Sequence, residues 1–163
     1  MRDIGCFMNK GKKIAEELFK PIIGQSPRIK LGYGSFITMN FGKDFPKEIK
    51  TRDGLEISYF GEWHLWVYMC AWRLDLLGYP LIGSDDDRNH IETTLSDLKD
   101  KKLLEFSVLN SAFDSSIKFE SGYELKLFSF NATENKQWIF YTPEEKVFIA
   151  GPGKTWSYKS SDK

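Results

Sequence analysis

The chain opens on a helical period and then settles into strand periods. In "NKGKKIAEELFKPIIG", residues 9–24, Ile14, Leu18 and Ile22 recur four apart, with Ala15 and Phe19 on an adjoining stripe. That spacing gathers apolar side chains on one side of an amphipathic helix. Pro21 leaves the last turn unsettled and Gly24 supplies a stop. A second helix is predicted in "GSDDDRNHIETTLSDLKDKK", residues 83–102. Ser84 or Asp85 would cap it, acids crowd its first turn and lysines close it, an order that complements the helix dipole. Its expected buried stripe is Ile91, Leu95 and Leu98.

The rest reads as strands. "PRIKLGY", "SFITMNF", "LEISYF" and "WHLWVYMCAW" lie between the helices; "LLEFSVL", "SSIKF", "YELKLFSF", "QWIFYT" and "KVFIAG" follow the second. Each is short, rich in aromatic or β-branched residues, and bounded by turn formers or Lys. Segregated helices and runs of strands predict an α+β fold with antiparallel sheets and two amphipathic helices, in one domain. "GLEISYF" at 54–60 resembles "GYELKLF" at 122–128, which suggests two helix-plus-meander halves over 9–82 and 84–158. Duplication and convergent strand patterning explain that likeness equally well. The tail, 159–163, reads as solvated and frayed.

The densest stretch is "GEWHLWVYMCAWRL", residues 61–74. As one extended strand it sends Trp63, Leu65, Val67, Met69 and Ala71 to one face, and Glu62, His64, Trp66, Tyr68, Cys70 and Trp72 to the other. Apolar on both faces, it is expected in the middle of a covered sheet. The alternative is a ligand wall made of His64, Trp66, Tyr68 and Trp72. His64 is expected as a structural residue within reach of Glu62 or Arg73.

Charge and composition narrow the function. Lys and Arg number 23, as do Asp and Glu, so the basic excess of a nucleic-acid binder is missing. The charges are nonetheless segregated. Residues 1–30 hold seven bases against three acids, and residues 84–100 hold six acids against Arg88 and Lys99. Two distant cysteines, Cys6 and Cys70, suit free thiols in a reducing compartment. No apolar run reads as a signal peptide or a membrane span, so the expected location is the cytoplasm.

Catalytic and metal chemistry lack a motif. No His, Cys or acidic pair has zinc spacing, and "DDDRNHIE" lacks the alternating ligands and central glycine of a calcium loop. No cofactor is called for. No G-x-S-x-G occurs, and "AGPGKTW" at 150–156 has Phe148 where a phosphate loop needs glycine. "GYGSF" at 32–36 reads as a turn needing Gly32 and Gly34. An enzyme is therefore not expected. What remains is the second helix, which exposes Asp85, Asp86, Asp87, Glu92, Asp97 and Asp100. That face is either solvated or a docking surface for a basic partner, such as a nuclease domain, where opposed charge speeds encounter.

"GYGSFITMNFG", "GEWHLWVYMCAWRL" and the later "GYELKLF", "GPG" and Trp156 layout resemble small bacterial proteins with similar G-S-F and W-x-L-W stretches, over residues 28–156. Those proteins are similar to immunity proteins of polymorphic toxin or contact-dependent inhibition systems. The resemblance implies a cytoplasmic, non-enzymatic single domain that binds and neutralises a cognate protein toxin. It carries no toxin-binding residue across by motif, and strand edges leave dimerisation open.

Overall fold

Helix α1 spans Asp3–Phe19 and tightens into a 3-10 turn over Lys20–Ile22, in a computed structural model that describes residues 3–161. Pro21 stands in the first turn of that 3-10 segment, where a missing N–H costs nothing. Gly24, at φ 86°, ends the run and donates its N–H to Leu103 O at 2.8 Å. Gly11, Ala15, Phe19 and Ile22 are fully buried, while Ile14 and Leu18 are half-buried. The seam is thus rotated from the Ile14–Leu18 stripe. Gly11 is the reason: a Cβ there would meet the Trp156 indole at 2.6 Å, so its absence lets the helix lie on that ring.

The second helix, α2, spans Arg88–Leu95 and continues as a 3-10 turn over Ser96–Leu98. Its cap is Asp87, not Ser84 or Asp85. The Asp87 carboxylate accepts from the N–H groups of Asn89 and His90, both at 3.1 Å. Ser84 instead accepts from Trp72 N through its hydroxyl. Ile91, Leu95 and Leu98 are buried, as the period required.

The strands are β1 (Arg28–Leu31), β2 (Ile37–Thr51), β3 (Gly54–Val67), β4 (Ala71–Leu76), β5 (Tyr79–Gly83), β6 (Leu103–Val108), β7 (Ser115–Phe119), β8 (Tyr123–Phe128), β9 (Trp138–Tyr141), β10 (Lys146–Ala150) and β11 (Trp156–Ser160). They build two antiparallel sheets, ordered β1-β2-β3-β9-β10-β11 and β5-β4-β8-β7-β6. The fold is α+β. One core cluster draws on the inner faces of both sheets and on both helices. From α1, Phe19 stacks between Phe106 of one sheet (centroids 3.7 Å apart) and Phe140 of the other (4.1 Å). Helix α2 lies beside β5 and β1, an edge strand of each sheet.

Three expectations change here. "LEISYF" and "WHLWVY" are one strand, β3, and the expected strand 62–74 breaks at Tyr68–Cys70, where the chain leaves the first sheet for the second. The tail is paired as far as it is described. Lys159 and Ser160 face Val147 and Lys146, and Ser161 N donates to Glu145 O at 2.8 Å. Its last two residues, Asp162 and Lys163, lie outside the described residues, as do Met1 and Arg2. Finally, the two similar segments take unlike places. Residues 54–60 run along a projecting hairpin, whereas Tyr123–Phe128 is the middle strand of the second sheet.

Candidate functional site

Between β3 and β4 the residues Tyr68, Met69 and Cys70 carry the chain across the seam of the sandwich. Tyr68 N and Met69 N still donate to Gln137 O and Lys136 O at 2.9 and 3.3 Å, which ties this crossing to the residues just before β9. Three loops converge on it: the β1–β2 turn, the β5–α2 turn and the β8–β9 loop. Together they line an open cleft of about 380 Å³ whose walls include Tyr33, Phe36, Tyr68, Cys70, Asp85 and Phe130.

Each wall residue has a local reason for its position. The β1–β2 turn is closed by Gly32 N donating to Phe36 O at 2.7 Å, and Gly34 supplies a positive φ of 62°. That turn displays Tyr33, 92% exposed. Phe36 and Tyr68 stack obliquely, centroids 5.0 Å apart, and Trp66 backs both from the outer face of the first sheet, 4.7 Å from Tyr68. The β8–β9 loop is ordered by Asn131, whose side-chain oxygen accepts from Thr133 N at 3.0 Å and Glu134 N at 2.9 Å. It displays Phe130, 65% exposed. Large aromatics held out on ordered loops bury area on binding with little ordering cost.

At the base, Cys70 is buried, and burial chiefly, with Asp114 adding, pushes its thiol up to about 12. It behaves as an inert apolar residue rather than a nucleophile. Cys6 is exposed on α1.

The residues singled out in the sequence divide between several places. Of the aromatic set, Tyr68 alone lines the cleft and Trp66 stands behind it. Trp72 faces the other way, 2% exposed in the core of the second sheet, with its indole N–H donated to Ser35 O at 2.7 Å. The change of sheet after Val67 is what separates it from Trp66. His64 is also buried, on the outer face of the first sheet. It pairs with neither Glu62 nor Arg73. Its Nδ1 lies 2.7 Å from Asn40 Oδ1, an oxygen that also accepts from Gly61 N at 2.8 Å, so Nδ1 carries the proton. Burial, with a lesser push from Lys47, lowers the His64 pKa to about 4, which leaves the ring uncharged at neutral pH. Glu62 accepts instead from Lys43 N at the bulge of β2.

All six acids of the α2 region are exposed, but they are not equivalent. Asp86 accepts from Gly83 N at 2.7 Å, Asp87 caps the helix, and Glu92 lies 3.2 Å from Arg88. Asp85 stands on the cleft wall. Asp97 and Asp100 lie at the far end, beyond Leu95. Tyr68 and Asp85, taken in the sequence as parts of two separate sites, therefore border one cleft.

In the sequence Arg73 stands out only as a possible partner for His64. It binds Asp75 through Nε (2.7 Å) and Nη2 (3.1 Å), and Lys126 approaches the same carboxylate at 3.1 Å. The side chain of Asp75 is 1% exposed, and the Arg73 hydrogen bond first, then Lys126, holds its carboxyl below the usual range against the cost of burial. Period-2 alternation in β4 and β8, with registers Arg73↔Lys126 and Asp75↔Glu124, puts this network on one face. Every charge in it is matched, so it serves the sheet.

Among the described residues no group of three His, Cys, Asp or Glu side chains is placed to hold a metal ion, and no helix is long and apolar enough to cross a membrane. No protein-family profile, curated protein or solved structure matches the chain.

Proposed function

We propose that this protein is a non-catalytic binding module of the immunity type, which neutralises a basic protein toxin by docking it on the cleft at the sheet crossing. One observation carries this reading: Tyr33 and Phe130 stand largely in solvent on ordered loops at either side of an open cleft, with Asp85 on its wall and Asp86 and Asp87 following. Aromatic anchors are among the residues that dominate protein–protein affinity. An acidic border steers a basic partner and sets encounter rate more than affinity. The buried, inert thiol of Cys70 at the base is consistent with a site that binds rather than reacts.

The test is an affinity capture from cells expressing the neighbouring genes, run in parallel with the native chain and with a Tyr33→Ala, Asp85→Lys, Phe130→Ser variant. A stoichiometric basic partner held by the first and lost by the second supports the reading, provided the native chain also blocks that partner's toxicity in a growth assay. A partner held equally by both sinks the site assignment.

A second reading rests on the cleft's size. At about 380 Å³ it falls within the range of small-molecule sites, roughly 300–1,000 Å³. Trp66 touches Tyr68, so a metabolite entering the cleft changes tryptophan fluorescence in the native chain and not in Trp66→Phe. Silence across a metabolite panel removes this reading.

A further inference from the structure

The β2–β3 hairpin runs on past the body of the first sheet. Strand β1 pairs with β2 only as far as Asn40, and β9 pairs with β3 only from His64. Between the bulge at Gly42–Lys43 and the two-residue turn Arg52–Asp53, the strands pair with one another alone. This arm bears Leu55, Ile57 and Tyr59 at 73%, 64% and 56% exposure. Two isolated strands are marginal in water, so an arm of this length with an apolar face is unfinished.

Its two edges differ. Thr51 and Gly54 flank the two-residue turn and form a hydrogen-bonded pair, and the alternation of an antiparallel ladder follows from there. Glu56, Ser58 and Phe60 bond inward to β2, while the N–H and C=O groups of Leu55, Ile57 and Tyr59 point outward. On the β2 side, the outward position opposite Tyr59 is Pro46, which has no N–H; Lys47 follows it, and Lys50 holds the outward position opposite Leu55. Proline and lysine are the devices by which natural edges are blocked. Residues 55–60 hold neither.

We propose that this open edge is where two copies of the chain join, β3 against β3, about a two-fold axis through Ile57. That register is self-complementary at every position. Ile57 meets its own counterpart and exchanges both backbone hydrogen bonds with it. Leu55 does the same with Tyr59 of the second copy, and Tyr59 with Leu55. The apolar row becomes continuous across the interface. On the opposite face Glu56, the single charge in 55–60, meets Ser58, so no like charges oppose. Such a contact is isologous and closes at two copies, which sets a second copy apart from a strand of unrelated sequence. Tyr59 and Tyr68 are separated by nine residues of strand, roughly 30 Å of chain, so the dimer leaves both clefts open.

The test is sedimentation equilibrium of the full chain. The native protein is expected at twice its 18.9 kDa chain mass. Ile57→Pro is the decisive variant: the N–H it deletes points away from the hairpin, so the arm's own ladder survives while the edge is blocked. Ile57→Lys sets two ammonium groups against each other at the axis. Each is expected to raise the dimer dissociation constant about tenfold or more with an unchanged circular dichroism spectrum. Leu77→Lys, at an exposed leucine in the turn between β4 and β5, is expected to leave the dimer intact. A native chain that is monomeric at about 100 μM overturns the proposal. So does a dimer that survives both Ile57 variants, or one that Leu77→Lys also dissolves. A heterologous partner captured through the arm of a monomeric chain would likewise replace it.

Discussion

Arg88 clasps the carbonyl groups of the two residues that flank Tyr33. Its Nη1 donates to Gly32 O at 2.9 Å and to Gly34 O at 3.0 Å, and the ring between them is left 92% exposed. Helix α2 and the β1–β2 turn, more than fifty residues apart in the chain, are thereby one unit at the mouth of the cleft. Arg88→Ala is expected to speed amide hydrogen exchange at residues 32–36, while global stability falls by no more than about 1 kcal/mol. Exchange that stays at the native rate in this turn would show that the clasp does not order it.

His64 makes stability depend on pH in a definite direction. Its folded pKa is about 4 against 6.5 for the free side chain, so between those values the unfolded chain takes up a proton that the folded chain refuses. The contribution is fully present above pH 6.5 and is lost as pH falls toward 4. Between pH 7.5 and pH 5 it amounts to roughly 2 kcal/mol. Urea midpoints of the native chain and His64→Asn, compared at both pH values, isolate it from the carboxylates. The native chain should lose more on acidification, and equal losses would remove His64 from the account.

The acids of the α2 region are expected to separate into structural and free groups. Asp87→Ala removes the helix cap and should cost about 1 kcal/mol. Asp85→Ala removes no hydrogen bond or ion pair given by the structure and should leave the midpoint within about 0.5 kcal/mol. Thermal melts of the two variants decide this. Charge reversal at Asp85, Asp97 and Asp100 is accordingly the cleaner probe of docking, because reversal at Asp87 would also weaken the helix.

Gly11→Ala is expected to destabilise although alanine is the better helix former by about 1 kcal/mol. The added methyl would meet the Trp156 indole at 2.6–2.7 Å, and that ring stacks in turn on Phe148 at 5.8 Å. Displacing it should outweigh the gain in propensity, with a net loss of about 1–3 kcal/mol. Restoration by Gly11→Ala combined with Trp156→Leu, relative to Trp156→Leu alone, would locate the conflict at this contact. A more stable single variant would contradict it.

Much of the fold was legible because its elements are written in local periods. The stripe Ile91–Leu95–Leu98, both helices and seven of the nine strand segments follow from spacing and are formed by the structure, while "LEISYF" and "WHLWVYMCAW" are redivided between β3 and β4. Two short edge strands were not: β5 begins with an exposed Tyr79–Pro80 pair, and β11 lies in a polar tail whose pairing depends on β10. The bulge at Gly42–Lys43, which lets β2 run on to Thr51, has no period to announce it. Neither did the deepest face of α1, because glycine and alanine carry no hydropathy signal for close approach.

The site was the least legible part, for the same reason. The alternation in "WHLWVYMCAW" places Trp66 and Trp72 on one face only while the strand is continuous, and it is not: the chain changes sheets at Tyr68–Cys70. The amino-acid sequence by itself determined the element types, the α+β class, the segregated charge and the absence of a catalytic motif, since each depends on residues within a few positions of one another. Tertiary structure decided that Trp72 turns into the core while Tyr68 and Asp85 meet at one cleft. Which loops converge at a sheet crossing is set by pairing between strands far apart in the chain, and no local period records that pairing.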